Sequence, residues 1–439
     1  MKLNYKQTFL IGFGFFASSI AWAMYNNYVP ILLKNYLTST TLIGIVMTFD
    51  NIFGVIFQPV FGALSDKTRT RFGRRMPYIL FGIPICAAVF PFIPFTKTLF
   101  SLMAVIIIFN FVMSTWRAPV VALMPDLTPA PLRSQANGII NFMGGLGSLF
   151  SFFAGGLLFK LGGMPLPFVA SAVLMLAAVV VLKLFVRERT GKEPEGELLD
   201  NKLPGWAVEP AEPEKSPMPA KSHGFPQEAP GRSHAAQPGR NKSLIFLLLA
   251  ILFWFTGYNA VETFFSLYVI NTLRDTSGNF LTAGDASLLL AMFSLTFLGF
   301  SIPAGFISAK LGRKRTILAG LTGVTLLFAL MLFTDNIWAL RILLLLGGVF
   351  WACVNINSLP MVVEMAHWKD IGRFTGYYYF FSFSAAIISP ILFGFIRDMV
   401  SSYDTIFVYS SISFALAIIC MLFVNHGEAA GEVKTGNNI

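Results

Sequence analysis

Charge is what this chain has least of. Only 12% of its 439 residues are Asp, Glu, Lys or Arg, while 55% are apolar and 46 are Phe. A soluble domain carries about 25% charged residues to keep its surface in water. A water-exposed globule is therefore excluded, and an outer surface that faces lipid is implied. Cysteine is scarce too: Cys86, Cys353 and Cys420 stand alone inside apolar runs, which excludes a disulfide framework and a thiolate metal site. Of the four histidines, His223 and His234 fall in a polar mid-chain segment, and His367 and His426 at the edges of apolar runs, without ligand spacing. No nucleophile elbow, Walker loop or zincin motif occurs. An enzyme is not expected, nor any bound cofactor or metal.

What is present is a succession of apolar runs of the ~20 residues that a bilayer demands. Six lie near 8–33, 42–63, 77–95, 99–125, 136–159 and 166–186, and six more near 243–270, 284–308, 316–334, 337–360, 372–396 and 405–425. The first imitates a signal peptide, with Lys2 and Lys6 ahead of it and Ala21-Trp22-Ala23 as a cleavage-like site. Its apolar character continues through Leu33, so it reads as a retained helix. In the fifth run, Gly147, Ser151 and Gly155 recur every four residues, which predicts close helix packing and not phosphate binding.

Basic residues are concentrated in alternate junctions. Lys67, Arg69, Arg71, Arg74 and Arg75 follow the second run, Arg133 the fourth, Lys310, Arg313, Lys314 and Arg315 the eighth, and Lys369 and Arg373 the tenth. The opposite loops hold isolated cations such as Lys34, Lys97 and Arg274. Because Lys and Arg are enriched in loops that stay in the cytoplasm, both termini are expected there. The membrane is expected to be the plasma membrane, or the inner membrane of a bacterium. The net charge of +10 is then a topology signal, and no nucleic-acid partner is implied. Residues 187–242 turn abruptly to Pro, Glu, Lys, Gly and Ser, as in Glu212–Arg232. Such a segment cannot bury enough apolar surface to offset its ordering entropy. The expected organisation is a first six-helix bundle over 1–186, a disordered cytoplasmic linker over 187–242, a second bundle over 243–425 and a cytoplasmic tail over 426–439.

The halves echo each other. Tyr25-Asn26 returns as Tyr258-Asn259, GALSDK (Gly62–Lys67) as GFISAK (Gly305–Lys310), and Ala122–Pro125 as Asn357–Pro360. Two six-helix repeats around a central cavity is the arrangement that an alternating-access carrier requires. The GALSDK loop resembles the signature of the major facilitator superfamily. Its longer form, Gln58-Pro59 through SDKTRTRFGRRMP, is similar to the glycoside-pentoside-hexuronide:cation symporters, especially the sucrose-transporter branch. Trp22-Ala23 ahead of Pro30, and Asn357–Pro360 running into Thr375-Gly376, add to that resemblance. It implies an all-α membrane protein of twelve transmembrane helices in two pseudo-symmetric six-helix bundles, acting as a secondary transporter. In the loops, Asp66 beside Arg74 and Arg75 is expected to lock the two bundles in one state through charge-assisted hydrogen bonds. The second loop has Ala309 in place of Asp66, so Arg313 is expected to lack an acidic partner and the lock to be one-sided.

Ionisable groups at membrane depth are costly and line pathways. Asp50, Arg117 and Glu262 are three such groups. Polar stripes surround them: Asp50, Gly54 and Gln58; Asn110, Ser114 and Arg117; Tyr258, Glu262 and Ser266. Two carboxylates against one guanidinium leave one surplus negative charge, which must take up a cation or stay unpaired in low dielectric. Sodium-using melibiose-type members of the resembled family carry D-x-x-x-D-P in helix two, which falls here on Gly54 and Gln58 before Pro59. Neither is acidic, so the expected coupling ion is a proton rather than sodium. Their W-D-x-P in helix four matches Trp116-Arg117-Ala118-Pro119, so an acidic sugar ligand is replaced by Arg. Amides and aromatic faces still suit a sugar: Trp22, Tyr25, Asn26, Asn27, Gln58, Trp116, Asn141, Tyr258, Asn259, Asn355 and Tyr377–Tyr379. The reading is a monomeric proton-coupled symporter of a glycoside or small oligosaccharide. The alternatives are an exporter of drugs or metabolites of the same superfamily and a non-transporting receptor or scaffold.

Overall fold

A backbone surrounded by lipid must satisfy its own hydrogen bonds, so long apolar runs fold as helices. The computed structural model describes residues 3–128, 132–188, 240–334, 336–366 and 371–428. Among them are twelve helices long and apolar enough to cross a membrane. The first six are α1 (Tyr5–Lys34), α2 (Thr40–Lys67), α3 (Met76–Phe95), α4 (Leu99–Leu127), α5 (Ala136–Gly162) and α6 (Pro165–Phe185). The second six are α7 (Arg240–Thr272), α8 (Ala283–Leu311), α9 (Arg313–Met331), α10 (Ile337–Glu364), α11 (Arg373–Val400) and α12 (Thr405–Leu422). Every expected run is a helix, and α1 continues unbroken past the cleavage-like site. Of the expected linker and tail, 189–239 and 429–439 lie outside the described residues.

Each packing pair within the first six helices recurs in the second. The helix α1 packs on α5 and α6, and α7 on α11 and α12; α4 packs on α2 and α3, and α10 on α8 and α9; α3 meets α6 as α9 meets α12. Across the halves, α5 packs on α8, α11 on α2, and α1 on α7. That exchange of partners makes the two bundles pseudo-symmetric. The predicted stripe on α5 is a packing seam: Ser151 Oγ donates to the Ile20 carbonyl at 3.1 Å, and a Cβ on Gly147 would lie 2.5 Å from the Phe16 carbonyl oxygen. Large side chains such as Phe81, Phe92 and Phe306 are exposed on the outer surface, where lipid would cover them.

With six helices per bundle, the starts of α1 and α7 and the ends of α6 and α12 share one face, here the proximal face. The α1–α2, α5–α6, α7–α8 and α11–α12 loops lie on the distal face. The bundles are closed against each other distally. Gly156 and Gly284 bring α5 and α8 so close that a Cβ on either would come within 2.8 Å of the other's carbonyl oxygen. A Cβ on Gly394 would lie 2.6 Å from the Thr40 carbonyl oxygen, which places α11 directly against α2. Asp398 of α11 also accepts hydrogen bonds from the Ser39 hydroxyl (2.7 Å) and the Thr40 and Thr41 amides (2.8 and 2.9 Å) at the start of α2. Lys160 pairs with Asp285 at 2.6 Å between α5 and α8. Proximally, Gly138 of α5, Gly305 of α8 and Gly376 of α11 have open space where a Cβ would stand. The same helices that touch distally are therefore separated proximally, and the space between the bundles opens on the proximal face.

Candidate transport cavity

Aromatic and polar side chains four residues apart on a helix share one face, and three such pairs converge between the bundles. Trp22 and Asn26 come from α1, Tyr258 and Glu262 from α7, and Trp351 and Asn355 from α10, around a cavity of about 520 Å³. Asp50 and Asn51 of α2, Arg117 of α4, Asn141 of α5 and Asn259 of α7 complete its polar lining. All three expected membrane charges are thus brought to one cavity. They do not form a salt bridge: among the described residues Arg117 has no ion pair, and its guanidinium lies 5.2 Å from the centre of the Trp22 ring. Glu262 Oε1 accepts from Asn26 Nδ2 at 3.4 Å, a link from one bundle to the other.

Asp50 sits where α2 is interrupted. Thr48 is a turn between two helical pieces, Thr40–Met47 and Phe49–Lys67, which puts Asp50 in the first turn of the second piece. Its Oδ1 accepts from the amide and side-chain nitrogens of Asn51 at 2.5 and 2.7 Å. Ten residues below the start of α2, or ~15 Å of helix, the carboxylate lies near mid-bilayer, beside a half-helix N-terminus that favours negative charge.

On the second bundle Tyr258 stacks on Trp351, centroids 4.4 Å apart and planes 2° from parallel. Asn259 Nδ2 donates back to the Phe255 carbonyl at 2.7 Å. Asn27, 1% exposed, lines the cavity with neither amide atom hydrogen-bonded among the described residues. Trp22 Nε1 is likewise buried without a partner among the described residues.

Six expected substrate residues do not line the cavity, Tyr378 and Tyr379 among them. Tyr25 is fully buried, stacks on Phe109 at 5.5 Å and accepts from Asn110 Nδ2 at 3.2 Å, so it and the Asn110 stripe bind α1 to α4. Trp116 is buried against α3, where a Cβ on Gly82 would lie 2.7 Å from its own Cβ. One residue is a 100° turn of helix, so Arg117 faces the cavity while Trp116 faces away. Gln58 lies half-buried two turns proximal of Asp50, and Tyr377 is 39% exposed beside Phe374, at 6.0 Å. Neither borders the cavity. The sequence reading missed Trp351 and Asn51, although Trp351 precedes Asn355 by one turn and shares its face.

The loop charges correct a second expectation. Arg75 pairs with Asp66, with Asp126 at the end of α4 (2.9 Å) and with the Ser65 hydroxyl, while Arg74 reaches Asp126 at 2.7 Å. Glu188, just past α6, accepts from the Arg75 and Met76 amides at 2.8 and 3.2 Å and so caps α3. All these groups belong to the first bundle, so among the described residues the network ties α2, α3, α4 and α6 together and does not lock bundle to bundle. Nor does the second copy lack acids. Arg313 pairs with Glu364 at the end of α10 (3.1 Å), and Glu428, past α12, accepts from the Arg313 and Lys314 amides at 2.7 and 2.8 Å. Glu364 and Glu428 stand where Asp126 and Glu188 stand in the first half. Gly73 (φ 105°) and Gly312 (φ 89°) precede the two capped helices in the left-handed region, and a side chain at Gly73 would strike the Glu188 carboxylate.

Comparison with known proteins agrees with this architecture. The tetracycline resistance protein, class H, of Pasteurella multocida is 29% identical over 407 residues, 90% of each chain. Proton-associated sugar transporter A of Homo sapiens is 36% identical over 78 residues, 18% of this chain and 10% of that protein. Among solved structures, the nucleoside transporter NupG superposes with a TM-score of 0.66 at 15% identity, covering 95% of this chain and 99% of that one. The description of the Major Facilitator Superfamily matches residues 11–284 and 277–437. With twelve membrane-length helices in two repeated bundles around a polar cavity, the chain belongs to the Major Facilitator Superfamily, a family of membrane transporters and not of enzymes.

Proposed function

We propose that this protein moves a glycoside or small oligosaccharide across the membrane together with a proton, by alternating access. The observation that carries the reading is the joint placement of Asp50, Glu262 and Arg117 in one cavity with the stacked Tyr258–Trp351 pair and the amides of Asn26, Asn27, Asn141, Asn259 and Asn355. Stacked rings cover the C–H face of a sugar, and amides pair with its hydroxyls as donor and acceptor at once. One carboxylate is in excess of the single guanidinium. A charge left unpaired at that depth is costly, so its protonation on one side and release on the other couples the gradient to the movement of the bundles. The basic loops of the proximal face favour a cytoplasmic location for that face, on which reading the proximal opening is inward-facing. The networks around Asp66, Arg74 and Arg75, and around Arg313, keep each bundle's proximal end rigid as the bundles rock.

Proton-coupled export is the second reading, favoured by the 29% identity with the tetracycline resistance protein over 90% of both chains. Inverted and right-side-out vesicles with an imposed pH gradient separate the two, using a panel of radiolabelled glycosides and tetracycline. Glycoside accumulation that follows protons inward supports symport. Tetracycline movement against the proton flow, without glycoside uptake, replaces it with export. Under symport, Glu262→Gln or Asp50→Asn abolishes gradient-driven accumulation but leaves glycoside exchange in place. Wild-type accumulation in the double variant removes both carboxylates from coupling.

A further inference from the structure

A second depression lies on the outside of the molecule, on the distal half of the seam between the bundles. It has a volume of about 630 Å³ and runs between α5 and the paired helices α8 and α10. Leu149, Phe153 and Leu157 form one wall, and Leu288 and Leu295 the other. From Leu149 to Leu157 is eight residues, ~12 Å of helix, close to the ~15 Å of hydrocarbon in one leaflet. The apolar trough therefore extends from the midplane to the distal membrane surface.

Its surface end is basic. Arg341 lines it, stacked on the exposed Trp338 at 4.3 Å, and has no ion-pair partner among the described residues. Lys160 stands at the same end and is half-exposed. The acid there, Asp285, is already engaged by Lys160 at 2.6 Å and by the Thr282 amide and hydroxyl at 2.9 and 2.6 Å. An exposed Trp beside an Arg is the composition of the membrane-interface belt.

We propose that this trough is a binding site for a phospholipid with an anionic headgroup, its acyl chains along α5 and α8 and its phosphate against Arg341 and Lys160. A trough with one apolar leaflet-length body and one cationic mouth is complementary to that ligand and to few others in a bilayer. Because the trough is built from both bundles where they touch, a bound lipid stabilises the distally closed state. The proposal is independent of what the central cavity carries.

The test uses the purified full-length protein and native mass spectrometry, titrated with phosphatidylglycerol or phosphatidylcholine. Phosphatidylglycerol is expected to bind the wild type selectively. Arg341→Gln is expected to weaken it about fivefold, the effect of one basic residue near an anionic surface. Leu295→Trp, at a position already 53% exposed and so tolerant of a larger ring, is expected to fill the trough and abolish the bound species. Lys97→Gln, on a distal loop away from the trough, is expected to leave binding unchanged. Equal affinity for the two lipids, or wild-type phosphatidylglycerol binding by both Arg341→Gln and Leu295→Trp, overturns the proposal.

Discussion

Asn27 is the residue whose environment asks most plainly for a ligand. Its side chain is almost wholly buried beside the cavity, yet neither amide atom has a partner among the described residues, and a buried polar group left unpaired costs about 1–3 kcal/mol. A bound hydroxyl relieves that cost. Asn27→Ala is therefore expected to raise the KM for substrate roughly fivefold, ~1 kcal/mol for one hydrogen bond, while leaving thermal stability near that of the wild type. An unchanged KM would place the amide outside the binding path. Arg117 poses the opposite case. With no ion pair of its own among the described residues, it acts on Asp50 and Glu262 through the field of the cavity and on ligands through its free donors. Arg117→Ala is expected to reduce substrate affinity at least tenfold, measured by equilibrium binding, and Arg117→Lys to restore part of it.

At the scale of the element, two glutamates do the same work a half-molecule apart. Glu188 caps α3 and Glu428 caps α9, each through two backbone amides, and a carboxylate at a helix N-terminus is worth about 1 kcal/mol. Replacing either by Gln is expected to lower the melting temperature by a similar, modest amount, and the effects should add because the sites are far apart. A loss confined to Glu188→Gln would show that the second network is not equivalent to the first. Arg75 is a stronger element-level support. Its buried guanidinium ties Asp66 and Asp126 and holds the Gly62 carbonyl at 3.1 Å. Removing one member of a buried charge network costs about 3–5 kcal/mol, so Arg75→Ala is expected to cut the folded yield sharply in a detergent-stability assay, and Arg69→Ala, on the exposed part of the loop, to leave it near wild type.

For the whole molecule, the contrast between touching and separated ends of the same helices defines the motion. Closing the proximal face requires α5 to approach α8 around Gly138 and Gly305, while the Asp398 cap on α2 and the Gly156–Gly284 contact give way distally. Spin labels at positions 138 and 305 are expected to move closer when transported substrate is added, and labels at 157 and 288 farther apart. Asp398→Asn loses the charge on four distal hydrogen bonds and is expected to shift the resting populations in the same direction. Distances that stay fixed in both pairs would rule out rocking of the bundles as the transport motion.

Twelve helices were legible from the sequence alone because the requirement is local: ~20 apolar residues and internally satisfied backbone, with no reference to neighbours. The repeat of six was legible for a similar reason, since GALSDK and GFISAK lie at corresponding helix ends. The meeting of Asp50, Arg117 and Glu262 in one cavity could be anticipated, as three costly charges on different helices have few tolerable places to go. What the sequence could not decide was anything set by a helix's rotation or by a residue arriving from far along the chain. Tyr25 and Tyr258 occupy equivalent repeat positions, but one turns into the first bundle and the other onto Trp351. Nothing local distinguishes Trp116, packed on α3, from its cavity-facing neighbour Arg117. The partners of the loop arginines, Asp126, Glu188, Glu364 and Glu428, lie 51 to 115 positions away in the chain. Only packing brings α4 and α6, or α10 and α12, to the loops they neutralise, and the interruption of α2 beside Asp50 carries no proline or glycine to announce it. Local hydrophobicity determined the elements; the rotation of each helix, fixed by its neighbours, decided which side chains face the cavity.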